Sequence, residues 1–117
     1  MSETAEPTLA PSIVNPLHDS RSIAEDYHNR QVAAVNDHEI RMSVMTAGFA
    51  WHSHPESDET FLVIDGELVI EFQDREVVLG KGDMLTVPKG AVHRTRPLGP
   101  RSVNLTFEQR DALTTFL

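Results

Sequence analysis

The chain has 117 residues, 18 acidic against 10 basic, and no cysteine. That length bounds it to one domain, which can bury about two thirds of its unfolded surface without disulfide or thiolate-metal staples. The formal net charge of −8 argues against a nucleic-acid partner, and no apolar run approaches the length of a membrane span.

The opening MSETAEPTLAPS is acidic and polar, without the basic start and apolar centre of an export signal, so a cytoplasmic protein is expected. Residues 1–20 read as a flexible N-terminal arm, 21–110 as the folded domain and 111–117 as a C-terminal tail, with 108–117 irregular or forming a short helical turn. Within the arm, Ser12-Ile13-Val14 fits a short edge strand that Pro16 would limit. Ser22-Ile23-Ala24-Glu25 fits a capping box opening one helical turn.

Residues 31–35 read as a strand, and Asn36-Asp37-His38 as a turn. From 39 to 46, Ile40, Met42 and Val44 alternate with Glu39, Arg41 and Ser43, the mark of a half-buried strand. Asp65-Gly66 has the composition of a two-residue hairpin turn, leading into a second alternating strand over 67–72. Short strands follow at 76–79, 84–87, 91–96 and 102–107, separated by Gly, Pro and Asp turns. Many short strands at regular intervals predict an all-β sandwich or barrel. Phe49, Phe61, Phe72, Phe107, Met42, Met45 and Met84 are expected in the core.

One stretch stands out from this pattern. His52 and His54 are two apart, so on an extended strand both imidazoles point to one side, and Trp51 points to the other. Pro55-Glu56-Ser57-Asp58 should turn the chain back, letting Glu59 face the histidines across a hairpin. His93 adds a third imidazole beyond a later turn. Three imidazoles and a carboxylate suit a divalent transition metal; the alternative is four ordinary polar residues at strand ends. His18, His28 and His38 have no ligand spacing and read as surface or hydrogen-bonding residues. Of the basic residues, Lys89, Arg94, Arg96 and Arg101 either decorate strand ends or lie near an opening that draws an anionic ligand.

Residues 52–66 (HxH, four residues, Glu, six residues, Gly) resemble the first cupin motif, and 82–93 (Gly, five residues, Pro-x-Gly, two residues, His) resemble the second. The resemblance extends over about residues 28–108 and is closest to the small RmlC-like cupins often described as mannose-6-phosphate-isomerase-like. It departs at Gly48, separated from His52 by three residues rather than five, and at Pro97, where the second motif often has Asn. The resemblance implies a single-domain jelly-roll β-barrel with His52, His54, Glu59 and His93 as metal ligands. The metal would be one divalent ion: Fe, Mn, Ni, Zn or Cu. It further implies a small-molecule ligand in the barrel, a homodimer, and an enzyme of dioxygenase, isomerase or cyclase type. A metal-loaded barrel that binds or senses a small molecule without turnover is the alternative, and a purely structural metal is a third reading. Tyr27, His28 and Glu108 are candidate bases.

Overall fold

A computed structural model describes residues 11–117. Residues 1–10, where the expectation of a flexible arm mainly falls, lie outside the described residues. Ser12-Ile13-Val14 forms no strand. The helical turn lies at Pro16–Ser20 (α1), earlier than the sequence suggests. Asn15 caps it, accepting the His18 N–H at 3.0 Å, and Pro16 occupies a first-turn position where its missing N–H loses no helical bond. These two signals outcompete the weaker box at 22–25.

Ten strands follow among the described residues: β1 Tyr27–Val35, β2 His38–Met45, β3 Phe49–Ser53, β4 Glu59–Asp65, β5 Leu68–Phe72, β6 Glu76–Leu79, β7 Met84–Val87, β8 His93–Pro97, β9 Ser102–Gln109 and β10 Thr115–Phe116. They form two antiparallel five-stranded sheets, ordered β1-β2-β9-β4-β7 and β10-β3-β8-β5-β6. Only β1–β2 and β5–β6 are hairpins within one sheet; each other connection between strands crosses to the opposite sheet. This is an all-β jelly roll.

The crossings correct two local readings. β3 and β4 lie in different sheets, so Glu59 reaches the histidines through a sheet-to-sheet crossing and not across a hairpin. Asp65-Gly66 likewise turns a corner between β4 and β5, which do not pair. Gly66 does have positive φ, at 71°, but Asp65 does not, and a type I′ hairpin needs both. Gly66 is required for a second reason: a Cβ there would run into the carbonyl oxygen of Arg101 and lie 3.1 Å from Ser102 Cα.

The main apolar cluster lies between the sheets and includes Met45, Phe61, Val63, Leu68, Ile70, Leu79 and Val87. A second cluster of Met42, Val44 and Val103 lies on the outer side of the first sheet, where Ile23, Val32, Ile64 and Leu105 pack against it. Strand alternation separates the two: on β2, positions 42 and 44 face outward and 41, 43 and 45 inward. β2 is therefore buried on both sides, not half-buried. Met84, expected in the core, is 60% exposed. It pairs with Leu62 on the outward face of the edge strand β7, while Leu85 and Val87 take the inward positions.

Gly66→Ala should destabilise the fold by at least about 1–2 kcal/mol from backbone strain alone, with the Arg101 clash adding to it. Gly99→Ala, where nothing lies within 4 Å of the added carbon, should change stability by less than about 0.5 kcal/mol. Urea denaturation of both variants checks the contrast.

Candidate metal centre

His52 lies on β3 and His54 just beyond it, and the two share a face because extended backbone repeats every two residues. β8 pairs with β3 so that His93 stands directly opposite His52. Glu59 opens β4 on the other sheet. The crossing that carries it there is pinned at several points. Gly90 N–H donates to the His54 carbonyl at 2.9 Å, Lys89 N–H to the Asp58 carboxylate at 2.8 Å, and Gln109 N–H to Ser57 Oγ at 3.0 Å. All four predicted residues thus converge: one ligand atom from each lies within 4.8 Å of the others. All four are buried, His93 completely.

The outer ring nitrogens fix the chemistry of the inner ones. His52 Nδ1 lies 2.7 Å from the Ala50 carbonyl, His93 Nδ1 2.9 Å from the Ala91 carbonyl, and His54 Nδ1 3.2 Å from the Leu113 carbonyl. A carbonyl only accepts, so each Nδ1 carries the proton, and each neutral ring turns a bare Nε2 inward. Those lone pairs meet a carboxylate. Glu59 Oε1 is 3.2 Å from His54 Nε2 and 3.3 Å from His93 Nε2, and His54 Nε2 is buried without a hydrogen-bond partner. Acceptors facing acceptors in a buried space need a cation between them, either protons on the rings or a metal ion. Three neutral imidazoles, oriented by backbone carbonyls, with one carboxylate fit a divalent transition metal.

Burial is the largest single influence on Glu59 and opposes its ionisation. When His54 and His93 also carry protons on Nε2, the hydrogen bonds they then donate outweigh it and pull the carboxyl down to about 2. The same hydrogen bond raises the pKa of His54, whereas burial lowers that of His52. Protons therefore compete for this cluster at His54 first, while Glu59 stays ionised throughout the neutral range.

Opposite the imidazoles, the inward side of the first sheet is polar. It encloses a cavity of about 280 Å³ that His52, His54 and Glu59 also line. Glu39, Arg41 and Ser43 on β2 stand beside Glu108, Thr106 and Asn104 on β9, residue for residue. Arg41 donates to Glu39 at 3.1 Å and to Asn29, whose amide donates to Ser43 Oγ at 2.7 Å. Glu108 is directly opposite Glu59 across β9–β4. Burial first, then the charge of Glu59, pushes its carboxyl up to about 7.

Of the candidate bases, Tyr27 and Glu108 line the cavity and His28 does not. Burial raises the Tyr27 pKa. His18, His28 and His38 sit near Asp19, Glu25 and Asp37, outside the cluster. Trp51 points away from it, under the Arg94 guanidinium at 4.6 Å. Arg94 and Arg96 bind Glu71, and Arg101 binds the Ser20 carbonyl, so none of these cations serves the cavity. Sequence reasoning missed Asn29, Glu39, Arg41, Ser43, Asn104 and Thr106. The available signal was that 39–43 and 104–108 each place polar residues at every second position.

Residues 38–107 match the family model of the cupin domain. The chain is 44% identical to the uncharacterized protein YdbB of Bacillus subtilis (strain 168) over 104 residues, covering 88% of this chain and 91% of that one. Its fold is similar to the crystal structure of a cupin-2 domain containing protein from Shewanella frigidimarina NCIMB 400 (28% identity, TM-score 0.77, 84% and 95% of the two chains). It is also similar to a conserved protein with a double-stranded β-helix domain from Klebsiella pneumoniae subsp. pneumoniae MGH 78578 (20% identity, TM-score 0.77, 92% and 97%).

His54→Ala and His93→Ala should each weaken binding of added Zn(II) or Co(II) by more than roughly 100-fold, beyond the loss usual for a residue that only orients a ligand. Circular dichroism should show a retained β fold. Affinity should also fall as pH drops through the imidazole range, because protons occupy Nε2, with no proton released from Glu59 above about pH 4. A competition titration across pH 5–8 measures this, and a flat profile would exclude histidine ligation.

Proposed function

The chain belongs to the cupin family, and on that premise we propose that it holds one divalent transition metal on His52, His54, Glu59 and His93 and acts as an enzyme on a small oxygen-bearing molecule. The observation that carries the metal is the convergence of three bare Nε2 atoms on one buried carboxylate. When bound, such an ion supplies Lewis-acid polarisation of a ligand oxygen, or oxygen activation if it is iron or another redox metal.

The remaining chemistry falls to the chain itself. A cavity of about 280 Å³ lies at the lower limit of small-molecule sites, which restricts the substrate to a compact molecule. The linked side chains of Asn29, Arg41 and Ser43 offer hydrogen bonds that orient oxygen atoms on it. Glu108, held near 7 by its surroundings, is the group suited to pass a proton to or from the substrate at neutral pH. Dioxygenation, isomerisation and cyclisation all fit such a site. Non-catalytic binding of a small polar molecule is the second reading, favoured by the mutual neutralisation of Arg41 and Glu39 on the cavity wall.

A homodimer is part of the proposal. β1 is an edge strand of nine residues with no neighbour on its outer side among the described residues, and long open edges invite a second copy. Light scattering at micromolar concentration should give twice the chain mass of 13.1 kDa.

Metal analysis of protein purified without chelator or histidine tag should find close to one transition metal per chain, lost in the His52→Ala/His54→Ala variant. Metal-loaded protein screened by NMR against compact hydroxy, keto and carboxylate compounds should convert at least one of them. Glu108→Gln should slow that conversion by about 10²–10⁴-fold while the compound still binds. Binding without conversion in both proteins would establish the second reading instead.

A further inference from the structure

We propose that the segment 110–117 is a working part of the metal centre: it fixes the His54 imidazole and walls the cavity, so that opening the cavity also releases a metal ligand. This rests on the reading of His52, His54, Glu59 and His93 as metal ligands. His52 and His93 are steadied from within their own stretch of chain, each by the carbonyl two residues earlier. His54 is not. Its Nδ1 partners are the Leu113 carbonyl at 3.2 Å and the Thr114 hydroxyl at 3.3 Å, 59 and 60 residues away. The ring of His54 therefore depends on a segment that the rest of the cluster does not need.

That segment is strung between the two sheets. Asp111 turns it with φ of 61°, after Arg110 N–H has bonded to the Asp37 carbonyl at 2.9 Å. It then crosses to the second sheet and pairs with β3, Thr115 opposite Ser53 and Phe116 opposite His52. Leu117 N–H donates to the Trp51 carbonyl at 3.3 Å. On the way, Ala112 and Thr114 line the cavity, and the Phe116 ring lies 6.0 Å from that of His52.

The hold is thin. The ladder is two residues long, and Leu113, Phe116 and Leu117 are 58%, 57% and 75% exposed. Segments with few buried contacts open at low free energy, well below global unfolding. Opening here widens the cavity and strips the acceptor from His54 Nδ1 in one movement, leaving the ring free to rotate or to move its proton to Nε2, where it can no longer ligate.

The test uses the full chain, a variant ending at Gln109, and Phe116→Ala. In metal-free protein at a pH where the ring is neutral, ¹⁵N shifts of His54 should report the Nδ1–H tautomer in the full chain and a mixture in the shortened one. Co(II) affinity should fall roughly 10–100-fold on shortening, with altered visible bands, and by a smaller factor in Phe116→Ala. A folded shortened protein with the original tautomer, affinity and spectrum would overturn the proposal. If the shortened chain does not fold, Phe116→Ala decides, and an unchanged tautomer and affinity there counts against it. If the full chain takes up no cobalt, the metal assignment fails, while the tautomer comparison still judges the role of the segment.

Discussion

The site is governed by an electrostatic requirement. Three imidazoles have their outer nitrogens committed to backbone carbonyls, and their inner nitrogens and the Glu59 carboxylate crowd together out of water. While the outer nitrogens hold the protons, no turning of the neutral rings relieves that crowding, because every inward atom is then an acceptor. Positive charge must enter, and the backbone has been arranged to keep it welcome: β3 and β8 hold two rings side by side on paired positions, and the pinned crossing from β3 to β4 delivers the carboxylate from the opposite sheet. The cluster thereby spans both layers of the jelly roll.

Around that requirement the two sheets divide the work. The second sheet brings the imidazoles. The first supplies Glu59 and a polar wall in which neighbouring strands match Glu39 with Glu108, Arg41 with Thr106, and Ser43 with Asn104. A wall of this kind inside an apolar fold is tolerable because much of it is internally paired, as in the run from Glu39 through Arg41 and Asn29 to Ser43. Asn104 Oδ1 and Thr106 Oγ1 are buried without partners, a cost concentrated where the cavity is.

Much of this was legible in the sequence, for reasons that differ by residue. His52, His54 and Glu59 sit within eight positions of one another, and His93 follows a marked Pro-Gly turn, so local spacing carries the cluster. The strands could be read because their alternation is local too. The polar wall shows in the sequence only as alternation, because Glu39, Arg41 and Ser43 look like a solvated face until one knows which side of β2 the other sheet covers. Asp65-Gly66 misled because a hairpin and a sheet-to-sheet corner use the same residue types; only the approach of Arg101 tells them apart. Met84 misled because hydrophobicity does not say which face of an edge strand is open. The partners of His54, Leu113 and Thr114, lie beyond any local pattern, just before a two-residue strand with no periodicity of its own.

The second apolar cluster has a consequence for how such a protein changes over generations. Because Met42, Val44 and Val103 secure the outer side of β2 and β9, the inward positions on those strands are not the sole source of their anchorage. Even and odd positions of one strand thus answer to different pressures, one to persistence of the fold and the other to whatever occupies the cavity. Drift or selection can rewrite the lining at 39, 41, 43, 104 and 106 with limited penalty to folding, so a single scaffold can pass from one small molecule to another while its imidazole cluster stays in place.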